Sequence, residues 1–131
     1  MMPSLLPKST VYVIDDDLDV LGSLRFLLET EGFEVRTFRN GTAVLSSDTT
    51  RNVDCFVIDY KMPNMNGIDL ASRLRDQDVT TPIILITGYP DENIPAKAAA
   101  AGLKHVLLKP HLEESLVAHI RQAMQERPAA G

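Results

Sequence analysis

Cysteine is nearly absent from this chain, tryptophan is wholly absent, and aromatic side chains make up only 5% of its 131 residues. The single Cys55 lies inside the apolar run Cys55-Phe56-Val57-Ile58. It reads as a small buried residue with no second thiol for a disulfide or a metal, which fits a reducing cytoplasm. Basic residues are also scarce, 13 against 18 acidic ones, for a net charge of −5. Few rings and no positive excess argue against a phosphate-tracking surface or a base-stacking platform, so direct nucleic-acid binding is not expected. No apolar run approaches the roughly 18 residues that a membrane helix needs. The start, Met1-Met2-Pro3-Ser4-Leu5-Leu6-Pro7-Lys8, lacks the basic and apolar regions of a secretory signal, so neither membrane insertion nor export is expected.

What is present is ordinary globular usage, 44% hydrophobic and 24% charged. A chain of this length can bury roughly two thirds of its unfolded surface in one core. Four short runs, Val11 to Ile14, Cys55 to Ile58, Ile83 to Ile86 and Val106 to Leu108, are continuously apolar, as strands buried on both faces of a parallel sheet tend to be. Phe33 to Phe38 alternates more and suits a sheet edge. Helical stripes lie between the runs: Val20, Leu21, Leu24, Leu27 and Leu28; then Ile68, Ala71 and Leu74 behind the N-cap Asn66-Gly67; then Leu112, Leu116, Val117, Ile120 and Met124. Gly41 to Leu45 and Pro95 to Ala101 are shorter helical segments. Strands alternating with helices predict an α/β fold, a doubly wound parallel sheet of five strands and five helices.

Ligands of such sheets bind beyond the carboxyl ends of the strands, and there every apolar run stops at a polar residue. Val11 to Ile14 ends in Asp15-Asp16-Asp17, Cys55 to Ile58 in Asp59, Ile83 to Ile86 in Thr87, and Val106 to Leu108 in Lys109-Pro110. Acids, a hydroxyl and an amine therefore converge on one rim. Carboxylates forced together raise one another's pKa unless a hard cation takes them as ligands, which makes Mg2+ the natural resolution. An ionised aspartate beside such a cation can form an acyl phosphate.

The blocks Ile14-Asp15-Asp16, Ile58-Asp59-Tyr60-Lys61-Met62-Pro63-Asn64-Met65-Asn66-Gly67, Ile86-Thr87-Gly88 and Leu108-Lys109-Pro110 resemble the signature of bacterial two-component response-regulator receiver domains, in order, from about Thr10 to Met124. The resemblance implies a flavodoxin-like sheet of order 2-1-3-4-5 and a phosphoacceptor rather than an enzyme. It implies Asp59 as the phosphoacceptor, and Thr87 and Lys109 as the hydroxyl and ammonium that bind the phosphoryl oxygens. Mg2+ would be held by Asp16, Asp59 and the Lys61 backbone carbonyl, with Asp15 reaching it through water. A cis Lys109-Pro110 bond would aim Lys109. The implied partners are a sensor histidine kinase or histidine phosphotransfer protein, a downstream target protein and a second copy of the chain. The expected layout is an extension over 1–9, the receiver over 10–126 and a tail over 127–131 with no output domain, a stand-alone type.

The signal is expected to leave through Pro95 to Ala101, Val106 to Leu108 and Leu112 to Met124. Thr87 and Lys109 engaging a new phosphoryl group supply roughly 3–6 kcal/mol, against about 5.5 needed to invert a 1:99 equilibrium, so the responding element must already be near balance. Two positions depart from the family. Val106 stands where many receivers carry an aromatic switch residue, and His111 where Phe is frequent. Lys61 is a further variable, able to shield or position the phosphoryl group.

Blander roles fit other residues. Asp17 and Asp19 suit a helix N-terminus. The acidic stretch fails as a calcium loop, with Val20 at the glycine place and Phe26 at the glutamate place. His105, His111 and His119 lack metal spacing, and Ala98 to Ala101 reads as a close-packed helix face. Two rival readings are a receiver fold that no longer takes phosphate and a small Mg2+-dependent phosphatase in which Asp17 would act as the second catalytic acid. Mg2+-dependent labelling separates the first from a working receiver, and turnover of a phosphate ester reveals the second.

Overall fold

The computed structural model describes residues 8–47, 52–88, 93–109 and 112–126. Five parallel strands, β1 (Thr10–Ile14), β2 (Glu34–Phe38), β3 (Cys55–Asp59), β4 (Ile83–Thr87) and β5 (His105–Leu108), form one sheet in the order β2-β1-β3-β4-β5. The helices are α1 (Leu18–Thr30), α2 (Gly41–Leu45), α3 (Gly67–Asp76), α4 (Asn93–Ala100) and α5 (Leu112–Gln125). The doubly wound topology expected from the alternation is therefore observed.

Strand periodicity divides the core into two layers. Tyr12, Ile14, Phe56, Ile58, Ile83 and Leu85 join Leu70, Leu74, Ile94 and Ala98 on the face covered by α3 and α4. Val11, Val13, Cys55, Val57, Ile84 and Ile86 join Leu21, Leu24, Leu28, Leu116 and Ile120 on the face covered by α1 and α5. The central strands β3 and β4 are buried throughout, as their unbroken apolar runs require. Burial pushes the Cys55 thiol up to about 12, with the Asp54 charge adding to it, so the cysteine is an inert core residue.

Three expectations change. β5 is an edge strand, only half-buried, with Leu108 exposed. Its apolar run does not mean burial on both faces, because no further strand flanks it. In α3 Leu70 is fully buried beside Ala71 and Leu74, while Ile68 is only partly covered. α4 begins two residues before Pro95, which falls in the first turn where its missing N–H costs nothing. Pro110 and His111, and with them the cis Lys109-Pro110 bond, lie outside the described residues, as do 1–7 and the tail over 127–131.

Candidate phosphoacceptor site

The strand order reverses between β1 and its neighbours β2 and β3, and a crevice opens beyond the carboxyl ends at such a switch point. Asp15 and Asp16 follow β1 there and Asp59 ends β3. Asp15, Asp16, Asp17, Asp59, Lys61, Met62, Pro63, Gly88 and Lys109 line the cleft.

Register explains which side chains meet. Asp15 keeps the parity of Val11 and Val13, Asp59 that of Cys55 and Val57, and Lys109 that of Leu107, so all three belong to the α1/α5 face. Lys109 Nζ lies 2.9 Å from Asp15 Oδ2 and 3.3 Å from Asp59 Oδ1, bridging two acids that come from different strands. The other Asp15 oxygen, Oδ1, accepts from the Asp17 amide at 2.9 Å. Asp15 is fully buried and Asp59 nearly so, whereas Asp16 faces solvent. The cluster is thus closed below and open above.

Charge is unbalanced in this space. Burial, and next the charge of Asp15, push the Asp59 carboxyl up to about 6 against the opposing pull of Lys109. Burial also works against the Lys109 ammonium, but its hydrogen bond to Asp15 and the charges of both acids outweigh it and hold its pKa above the ordinary lysine value. Three carboxylates gather around the Lys109 ammonium, an excess of negative charge that favours a bound cation.

One carboxylate oxygen from each of Asp15, Asp16 and Asp59 lies within 4.8 Å of the others. In an octahedral Mg2+ shell with bonds of about 2.1 Å, ligand oxygens sit roughly 3.0 Å apart when adjacent and roughly 4.2 Å when opposite, so the donor set fits, with room for one acid to act through water.

Thr87 ends β4 and is buried, but it keeps the parity of Ile83 and Leu85 and so belongs to the opposite face from the acids. Its carbonyl accepts from the Lys109 amide at 2.9 Å, and the cleft wall beside it is Gly88. The Lys61 side chain reaches the cleft mouth. Asp17 caps α1, accepting from the amides of Asp19 and Val20. Both cap bonds use its Oδ1, the helix N-terminal role expected of it.

Gly67 is a residue whose importance the sequence reading did not see. A Cβ there would sit 2.5 Å from the Asp59 carbonyl oxygen and 2.8 Å from Leu85, so only glycine lets α3 begin against the end of β3. Its position one residue behind the Asn66 cap was the available signal. Asn64, at φ 70, takes a left-handed conformation that asparagine tolerates, in the β3–α3 loop whose Lys61, Met62 and Pro63 line the cleft.

Residues 11–121 match the profile of the response regulator receiver domain, and the chain belongs to that family. Within it, the chain is 37% identical over 124 residues to the transcriptional regulatory protein FixJ of Bradyrhizobium diazoefficiens, covering 94% of this chain and 60% of FixJ. It is 35% identical to the response regulator protein TmoT of Ectopseudomonas mendocina, covering 92% of this chain and 55% of TmoT. The chain therefore spans little more than half of these curated relatives. The crystal structure of FixJ-N is similar at TM-score 0.81 and 30% identity, covering 96% of this chain and all of that one. The response regulator StyR is similar at TM-score 0.84 and 37% identity, covering 92% of this chain and 61% of StyR. Receiver domains are the phosphoacceptor modules of two-component systems, and this chain is a member of that family.

Proposed function

We propose that this chain accepts a phosphoryl group on Asp59 from a sensor histidine kinase or a histidine phosphotransfer protein, with Mg2+ bound, and hands the signal to a downstream protein through a changed surface. The observation that carries this reading is the bridge of Lys109 between Asp15 and Asp59 in the crevice at the switch point.

Asp59 is the nucleophile. With Oδ1 turned to Lys109, Oδ2 attacks phosphorus in line as the nitrogen–phosphorus bond of the donor breaks and the imidazole leaves. Lys109 follows the charge as it moves from carboxylate to phosphoryl oxygens, offering a compact ammonium with further protons to donate. Asp16, Asp59 and the Lys61 carbonyl would hold Mg2+, with Asp15 reaching it through water. The ion would neutralise charge on the transferring group. Asp15 meanwhile keeps Lys109 oriented. Thr87, from the neighbouring strand end, would donate its hydroxyl once a phosphoryl oxygen comes within reach.

The protein is then a signalling phosphoacceptor that takes part only in its own phosphorylation and dephosphorylation. Cytoplasmic placement fits the kinase partner, and no described helix is long and apolar enough to cross a membrane. A second copy of the chain is a further partner under this reading.

The test is intact-mass spectrometry after incubation with acetyl phosphate and Mg2+. A gain of one phosphoryl mass in the native protein, absent in Asp59→Asn and absent in EDTA, supports the reading. No gain under any condition replaces it with a phosphate-independent interaction module.

A further inference from the structure

Tyr60 directly follows Asp59 and keeps the parity of Phe56 and Ile58, which places it on the α3/α4 face, opposite to the Asp59 side chain. There it is half-buried against the core and lines a groove between the two helices together with Ile68, Asp69, Lys97 and Ala101. Both of its backbone groups are committed. Its amide donates to the Ile86 carbonyl at 2.8 Å, and its carbonyl accepts from the Gly67 amide at 2.8 Å. The residue is thus tied at once to the end of β4, one residue before Thr87, and to the first residue of α3.

The helix beside it is lightly held. α4 buries only Ile94 and Ala98, and Pro95, Ala96, Ala99 and Ala100 face outward. An eight-residue helix docked by two side chains is drawn from the low-stability end of a fold and repacks at small cost. Val106 is partly buried on the same face and brings no ring to it. Among the described residues, Tyr60 is the aromatic side chain that joins the rim to the groove beside α4.

We propose that Tyr60 carries the state of Asp59 to the α3–α4 groove: its ring takes one position beside a bare carboxylate and another when that carboxyl bears a phosphoryl group, and α4 shifts with it. This rests on Asp59 being the phosphoacceptor. When the Thr87 hydroxyl is drawn to a phosphoryl oxygen, the end of β4 moves with it. The Ile86 carbonyl takes the Tyr60 amide along, and the ring moves against Lys97 and Ala101. The readout is then a tyrosine on β3's face, working in a place that Val106 leaves without a ring.

The experiment is 19F NMR of 3-fluorotyrosine-labelled protein, combined with amide correlation spectra, before and after Mg2+ with beryllofluoride. The Tyr60 resonance is identified by its loss in Tyr60→Phe. A shift of that resonance together with the amides of Lys97, Ala100 and Ala101 is expected. In Tyr60→Leu, which keeps apolar volume and so keeps the fold, the α4 amide shifts fall to less than half while those of Asp15, Asp16 and Gly88 persist. If the rim amides respond but the Tyr60 resonance does not, or if α4 responds fully in Tyr60→Leu, this inference is overturned alone. If the rim amides never respond, the phosphoacceptor reading falls and takes the inference with it.

Discussion

At the end of the sheet where the strands begin, Arg75 is half-buried and donates from Nη1 to the carbonyls of Val79 and Thr81, both at 2.8 Å. At the end where they finish, Lys109 is similarly placed, but its partners are the carboxylates of Asp15 and Asp59. Arg75 satisfies acceptors of its own loop, and Thr81 in turn donates to the Val53 carbonyl, so that corner is a closed hydrogen-bonded staple. The rim is not closed, since three carboxylates gather around Lys109 and Asp16 leaves the cluster open to solvent. A buried cation alone therefore does not mark a reactive site. What marks it is charge left over after local partners are counted.

The comparison is sharpest when each cation is removed. Lys109→Met takes from fully buried Asp15 and from Asp59 the ammonium that bridges them, and urea unfolding in EDTA should show a loss of about 3 kcal/mol, in the range for breaking a buried pair. Mg2+ should recover most of it. Arg75→Met strands two carbonyls and should cost about 2 kcal/mol, with no recovery by Mg2+ because, among the described residues, the acidic cluster that could hold a cation lies at the other end of the sheet. Equal behaviour of the two variants toward Mg2+ would break the distinction.

A smaller effect is expected from pH. Asp59 is held up to about 6 in the fold against an ordinary 3.8, so the folded state binds its proton more tightly than the unfolded chain does. In EDTA this one group should make stability fall as pH rises from about 4 to about 6 and level off above, and the difference between native protein and Asp59→Asn should isolate that slope. A difference of the opposite sign would mean that Lys109 outweighs burial. The smallest effect belongs to the surface. Arg121 on α5 pairs with Glu31 at 3.6 Å and lies over the Phe33 ring, both partly exposed, and Arg121→Ala should cost less than about 1 kcal/mol by thermal unfolding.

Much of this was legible in the chain itself. β3 and β4 show as unbroken apolar runs because they are buried on both faces, and the rim acids stand out because each run stops at a polar residue. Asn66 and Asp17 announce their helices through cap chemistry. Other features are set by neighbours distant in sequence. The Val106 to Leu108 run of β5 is as apolar as those of the central strands, and only its edge position leaves Leu108 exposed. α4 has no apolar period to read, since alanines serve both its buried and its outward positions. Gly67 looks like one more glycine behind a cap until the Asp59 carbonyl is placed against it. Thr87 belongs to the rim by order along the chain, yet strand parity turns it to the other face.

The central claim is that Asp59, the acid that ends β3 and shares Lys109 with Asp15, is the one that takes phosphate. It is tested most directly by trapping: incubation with acetyl phosphate and Mg2+, reduction with borohydride, which converts an aspartyl phosphate to homoserine, and peptide mapping by mass. Homoserine at position 59 is the predicted result. Homoserine at 15 or 16, or none at any aspartate, would contradict it.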